Sequence, residues 1–296
     1  MKSVQFAPVA PVLDVGLIGA GPWARMVTGP VLAAGPQTRV TGVWSRTADN
    51  ASQLAQQLKV PAFTSVDALL NTCSAVAICV APDAQPGLAV KAAQAGKTLL
   101  LEKPLGADPA GAQAIVAAVR DTGVGTLLML SNRFNPGLDT FLESARAIEP
   151  FGGRGSFISA AFMGGPFATG WRLERGAVLD IGPHLLDMLD AALGEIVDIR
   201  AAGDPFGWVS IVCEHAGGAT SSGSMCCNAA AEGGTEVEVF SAKGSARYDG
   251  VMDFEAWPDN VRNAFVAVAN GEPHPANVHR GLHLQQLIAR IESQLR

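Results

Sequence analysis

Val15-Gly16-Leu17-Ile18-Gly19-Ala20-Gly21-Pro22-Trp23-Ala24 is the stretch on which the fold turns. An apolar strand pattern ends in G-x-G-x-x-A and passes into a helix-forming segment. Gly19 permits a tight turn, Gly21 lets the backbone approach a diphosphate, and Ala24 allows close packing of helix on strand. Pro22 and Trp23 complete the turn, and the helix start behind them offers free N–H groups and a positive dipole end to phosphate. Taken by itself the turn leaves other readings open: a purely geometric glycine turn, or one holding an adenosyl-methionine or a flavin cofactor.

Outward from that turn, residues 12 to about 130 alternate short apolar runs with amphipathic segments of helical length. VLDVGLI, RVTGVW, SAVAICV, KTLLLE and TLLML read as strands, with helices such as Ala48–Lys59 and Ala84–Ala95 between them. Near-continuous apolar strands alternating with helices predict a doubly wound parallel sheet covered on both faces. After Asn135-Pro136 the texture changes to two-residue alternation in GSFISAAFM, WVSIVCEH, TSSGSMCC and TEVEVFSA. That pattern predicts an α+β domain with a large open, mainly antiparallel sheet. The division expected is 1–131 for the dinucleotide-binding domain and 132–296 for a substrate-binding and oligomerisation domain. A helix near Gly182–Leu193 and a C-terminal helix near Arg280–Leu295 are placed to cover one sheet face, the latter also able to pack back on the first domain. The other face carries little charge along GSFISAAFM and GSMCCNAAA and is expected to meet further copies of the chain, as a dimer or tetramer.

The bulk composition narrows the function. The 296 residues carry a net charge of -6, with 48% hydrophobic and 16% charged residues, which gives no electrostatic reason to bind nucleic acid. Five cysteines, an odd number without a C-x-x-C pair, suggest neither a disulfide framework nor a zinc site and fit a reducing cytoplasm. Met1–Pro11 lacks a signal-peptide pattern, and no apolar run is long enough to span a membrane, so neither export nor membrane insertion is expected.

Three further segments carry candidate chemistry. Where an acidic residue would bind the ribose hydroxyls of NAD, the second strand ends in Trp44-Ser45-Arg46-Thr47. An arginine with small hydroxyls suits a 2′-phosphate, favouring NADP(H) over NAD(H); the alternative is a solvated Arg46 beside a hydroxyl helix cap. Leu101-Glu102-Lys103-Pro104 closes another strand and sets Lys103 at the sheet edge where ligands bind, although a Lys-Pro there also suits a surface turn. In Asp180-Ile181-Gly182-Pro183-His184, the proline predicts a helix beginning between Asp180 and Gly182. His184 would then lie near a helix N-terminus, whose dipole favours the neutral imidazole of a base. An N-capping Asp180 and a packed His184 are the alternative. Trp171-Arg172 could line a pocket, and His279 and His283, four apart, lack a third metal ligand, so no metal is expected.

The ordered set resembles the Gfo/Idh/MocA oxidoreductases. It comprises the glycine turn, Glu102-Lys103-Pro104, Arg133-Phe134-Asn135-Pro136 and Asp180 to His184, and it runs through most of the chain. The resemblance implies a Rossmann domain followed by an open-sheet domain, with Lys103, Asp180 and His184 carrying the chemistry and Arg172 joining them around the substrate. It also places Pro82 and Glu102 among the cofactor-binding residues. One departure stands out: the family's T-P-N-x-x-H reads here Ala81-Pro82-Asp83-Ala84-Gln85-Pro86. The expected function is hydride transfer between a nicotinamide cofactor and a secondary alcohol or ketone of a sugar, cyclitol or related polyol. A catalytically idle dinucleotide-binding redox sensor is the rival, against which retention of Lys103, Asp180 and His184 together speaks.

Overall fold

The computed structural model describes residues 12–230 and 233–295; the expectation for Met1–Pro11 lies outside them. Five strands, β1 (Leu13–Ile18), β2 (Thr38–Trp44), β3 (Ala75–Ile78), β4 (Thr98–Leu101) and β5 (Thr126–Leu128), pair in parallel in the order β2-β1-β3-β4-β5. Helices α1 (Gly29–Ala33), α2 (Ala48–Leu58), α3 (Val66–Leu70), α4 (Gln85–Gln94) and α5 (Pro109–Thr122) connect them, α1 continuing a π-helical turn at Ala24–Thr28. Every residue of β3 is buried, as strands covered on both faces require. The helix α5 shows how local chemistry sets an element's ends: the Asp108 carboxylate accepts the Gly111 N–H at 2.8 Å, Pro109 opens the first turn, and Gly123 closes it at φ 71°. Strand order reverses direction between β1 and β3, so Gly19 and Cys79 flank the crevice at the carboxyl ends where such sheets bind ligands.

The remaining described residues comprise α6 (Pro136–Ile148), β6 (Gly152–Ile158), α7 (Gly170–Leu193), β7 (Ile196–Gly203), β8 (Val209–His215), β9 (Thr220–Cys226), β10 (Gly234–Ser241), β11 (Gly244–Tyr248), α8 (Trp257–Ala269) and α9 (Val278–Glu292). The six strands form one sheet in the order β11-β10-β6-β9-β8-β7, antiparallel except for the β6/β9 pair. Its inner face, with Val209, Ile211, Met225, Val237 and Val239, is buried under α7. That approach is close: a Cβ added at Gly155 would lie 2.8 Å from Leu185 Cδ1 and 2.9 Å from the Glu236 carbonyl.

Three expectations need correction. The helix expected to start at Asp180–Gly182 starts at Gly170, breaks at Gly176 (φ 78°, ψ -175°), and then carries Pro183 in its interior. Gly176, not Pro183, punctuates it, so the dipole argument for a neutral His184 does not apply. Strands β7 and β11 were not expected, and GSFISAAFM forms a strand only as far as Ile158. The outer sheet face is polar: Arg154 pairs with Glu238 at 2.7 Å, Arg247 with Glu236 at 3.4 Å, and Ser156, Ser210, Ser222 and Ser224 line the same shallow groove.

A buried ionic cluster joins the sheets. Arg133, just past β5, donates twice to Asp187 on α7 at 2.6 and 2.8 Å, with side chains 8% and 1% exposed. From α9, Arg280 reaches both Asp187, at 3.2 Å, and Asp190. Arg133→Met removes two charge-assisted bonds and leaves Asp187 with Arg280 alone, so it is expected to cost about 1.5–3 kcal/mol, read as a lowered urea midpoint. A midpoint equal to that of the parent chain would contradict this.

Candidate active site

The turn at Gly19 has φ 107°, and a Cβ there would meet the Cys79 carbonyl oxygen at 2.1 Å. Only glycine fits between the ends of β1 and β3. At Gly21, by contrast, an added Cβ meets nothing within 4 Å, because that face opens onto a cleft of about 480 Å³. Gly19, Gly21, Pro22, Trp23, Ala24, Ser45, Arg46, Thr47, Glu102, Lys103 and Arg172 all line the cleft, as does Trp171. Pro82 is buried and does not; Ala81, Asp83 and Ala84 border the cleft in its place. Thr47 stands at the N-cap of α2 without using its side chain there, so the capping alternative fails for it. Arg46 is exposed and forms no ion pair or hydrogen bond among the described residues.

Asp180 and His184 are buried behind this cleft, 4% and 7% exposed. Lys103 crosses from the first sheet to Asp180, donating to its Oδ1 at 2.9 Å and to its carbonyl at 2.6 Å. Two of the amine's three protons are thereby placed, leaving the third. Arg172 donates from Nε to the same Oδ1 at 3.0 Å and from Nη1 to Thr169 Oγ1 at 3.0 Å. Its guanidinium lies 4.5 Å from the centre of the Trp171 ring. Burial alone would raise the Asp180 carboxyl, but Lys103 and then Arg172 outweigh it and hold Asp180 ionised below the ordinary range.

His184 is neutral for a different reason from the one the sequence suggested. Burial, followed by the charge of Lys103, pushes its pKa down to about 3. Its Nδ1 is buried without a partner among the described residues, and its ring lies 5.8 Å from that of Phe157. Burial also lifts Glu102, to about 7, although Thr28 Oγ1 donates to its Oε1 at 3.2 Å and Lys103 opposes the shift. The Trp23 indole N–H lies near this carboxyl but outside hydrogen-bond geometry, buried and unpartnered. Thr28, Cys79 and Thr169 were not singled out by the sequence, which marks none of them; only the fold brings them to the strand ends.

The two shifted groups oppose each other in pH dependence. Unfolded His184 gains a proton below its ordinary 6.5 while the folded group resists until about 3, so its contribution is present above about 6.5 and lost as pH falls. Folded Glu102 keeps its proton up to about 7 against 4.5 unfolded, so its contribution is present below 4.5 and lost as pH rises. Between the two ordinary values the slopes cancel. His184→Gln removes the His184 contribution, so its unfolding free energy should fall relative to that of the parent chain by about 1.4 kcal/mol per pH unit from about pH 5 to about 6.5. Urea titrations of both proteins across that range check it, and parallel profiles would refute it.

Among the described residues, no group of three or more His, Cys, Asp or Glu is arranged to hold a metal ion. His283 Nε2 lies 3.1 Å from Asp190 Oδ2, in a cluster already occupied by Arg280. No helix among these residues is long and apolar enough to cross a membrane.

Comparison with known proteins meets this geometry directly. The sequence profile described as "Oxidoreductase family, NAD-binding Rossmann fold" matches residues 13–129, and that of the GFO/IDH/MocA C-terminal domain matches residues 153–247. The chain belongs to the Gfo/Idh/MocA oxidoreductase family. Among curated members it is 29% identical over 192 residues to UDP-N-acetylglucosamine 3-dehydrogenase of Acidithiobacillus ferrooxidans, a match covering 64% of this chain and 58% of that enzyme. The match thus spans less than two thirds of that relative. Two solved Gfo/Idh/MocA-type folds superpose along nearly the whole chain. GenD2 from gentamicin A biosynthesis, in complex with NAD, has a TM-score of 0.85 at 18% identity, covering 99% of this chain and 97% of that one. KijD10, a 3-ketoreductase from Actinomadura kijaniata in complex with TDP-benzene and NADP, has a TM-score of 0.77 at 20% identity, covering 97% and 98%.

Proposed function

We propose that this chain is a nicotinamide-dependent oxidoreductase acting on a secondary alcohol, or its ketone, of a sugar, cyclitol or related polyol. The observation that carries the proposal is the Lys103 amine fixed to buried Asp180 at the rim of the glycine-turn cleft, with neutral His184 four residues further along α7. The cleft suits a dinucleotide: Gly21 leaves open space where a diphosphate would lie, and the Trp23 indole N–H is unpartnered. Bound there, the nicotinamide supplies the hydride acceptor or donor.

The chain's own residues manage the proton and the charge. Lys103 donates its remaining N–H to the reacting oxygen and stabilises the negative charge that develops on it during oxidation. Neutral His184 accepts the hydroxyl proton. Asp180, ionised between Lys103 and Arg172, fixes the direction of the amine. A panel of sugars, cyclitols and polyols, including nucleotide-linked sugars, assayed by nicotinamide absorbance tests the proposal. Tight cofactor binding with silence on every substrate would favour the idle sensor instead.

NADP(H) is the preferred cofactor in this reading, since Arg46, which has no partner among the described residues, stands at the end of β2 beside the hydroxyls of Ser45 and Thr47. Arg46→Ala is expected to weaken NADPH binding about 10- to 100-fold, the worth of a charge-assisted hydrogen bond, and to leave NADH nearly unchanged. Calorimetric titration of both cofactors checks this, and equal losses for the two would remove the 2′-phosphate role. The polar outer sheet face pairs with a second copy in the same reading, its alternating Arg154/Glu238 and Arg247/Glu236 pairs suited to exchange across a two-fold axis. Light scattering of the parent chain and of Arg154→Glu tests that pairing.

A further inference from the structure

The strap that carries Lys103 is held by one side chain from another helix. Gln85, the first residue of α4, is 1% exposed. Its Oε1 accepts the Glu102 N–H at 3.0 Å, and its Nε2 donates to the Glu102 carbonyl at 2.7 Å and to the Pro104 and Leu105 carbonyls at 3.1 Å each. Two amide protons serve three carbonyls, so one bond is three-centred.

The position explains the arrangement. Leu101, the last residue of β4, still accepts the Met129 N–H at 2.8 Å. One residue later the sheet ends, and Glu102 would have lost its neighbour. The Gln85 amide takes that place, exchanging both bonds with the Glu102 backbone as an opposing peptide group does in a sheet. Lys103 lies between the clamped residues Glu102 and Pro104, and its amine departs from there toward Asp180.

We infer that Gln85 is a positioning residue for Lys103, locking the strap from behind so that the amine is held at Asp180 before any ligand arrives. The geometric part stands on the bonds above; its consequence for turnover rests on the proposed role of Lys103. A buried group bonded four times to one strap moves that strap when it is changed, and a displacement of about 1 Å at a reacting group costs about 100-fold in rate.

Two variants test the inference. Gln85→Leu removes all four bonds at similar volume. Gln85→Glu keeps the acceptor for the Glu102 N–H but turns a carboxylate toward three carbonyls, and it carries the test if the leucine variant does not fold. In full-length, cofactor-free protein, acetic anhydride labelling of Lys103 is quantified by peptide mass spectrometry against half-buried Lys97, whose amine donates to the Cys73 carbonyl at 2.8 Å. Lys103 labelling should rise several-fold with Lys97 unchanged. On a substrate from the panel, kcat should fall about 100-fold while KM and NADPH affinity change little. Unchanged Lys103 labelling in a folded variant overturns the clamp. Unchanged kcat, in a preparation where Lys103→Met is inactive, overturns its role in turnover. If Lys103→Met itself remains active, the proposed function fails instead, and the labelling still judges the clamp.

Discussion

Lys103→Met should lower kcat by roughly 10³-fold, the range for removing a donor that stabilises charge on a reacting oxygen, while leaving the affinity for nicotinamide cofactor nearly unchanged. Methionine preserves the length and much of the volume of lysine, so the strap at Glu102–Pro104 keeps its packing. Asp180 loses one cation but keeps Arg172 on the same Oδ1 at 3.0 Å, which prevents the buried carboxylate from being stranded. The loss therefore falls on the reacting oxygen rather than on the fold. Steady-state rates on a substrate identified by the panel, with NADPH titrated by fluorescence, separate the two quantities. A kcat close to that of the parent chain would end the assignment of Lys103.

The second large effect concerns the turn itself, and it comes as a pair. Gly19→Ala forces a methyl group to within 2.1 Å of the Cys79 carbonyl oxygen at φ 107°. The ends of β1 and β3 must separate, so both the melting temperature and cofactor binding should fall, the latter by about 100-fold or more as the diphosphate contacts are displaced. Gly21→Ala places its methyl in open space, with nothing within 4 Å. It should melt like the parent chain yet bind cofactor far more weakly, because the methyl occupies the room the diphosphate needs. Thermal unfolding alongside calorimetric titration distinguishes the two. Equal binding by Gly21→Ala and the parent would mean that the diphosphate does not cross this turn.

The first sheet was legible because its signals are local. Apolar runs such as AVAI in β3 and the glycine turn state their structure within a few residues. Among the second-sheet strands, WVSIVCEH alternates buried and exposed residues in the register its spelling implies. Strand β7 was hidden because IVDIRAAG mixes charge and alanine and begins beside the helix C-cap at Gly194. Strand β11, GSARY, is short and edges the sheet. In α7, tertiary packing overrode local preference: Pro183 sits inside a helix buried almost throughout from Gly176 onward, where burial outweighs the missing N–H. The same burial, and not a helix end, neutralises His184. The residues Lys103, Asp180 and His184 could be named from their motifs, but the bonds from Lys103 to Asp180 could not. Arg172 on Asp180 and Gln85 on the strap depend on contacts between distant elements, and nothing in their local spelling announces those partners.

The helix α8 lies late in the chain yet belongs to the earliest core. Val261, Phe265 and Val268 belong to the same apolar core as Leu13, Val15 and Leu17, while Trp257 donates to the Ser131 carbonyl at 2.8 Å and Arg262 to the Val31 carbonyl at 2.8 Å. During synthesis the nucleotide-binding sheet therefore leaves the ribosome with one apolar flank bare, and that flank is sealed only after more than a hundred further residues have been made. A fragment ending near residue 131 should be sticky and poorly soluble by itself, and adding the 257–269 peptide in trans should rescue it. Residues 12–131 grafted alone into another protein should therefore need a substitute for this helix to cover the bare flank.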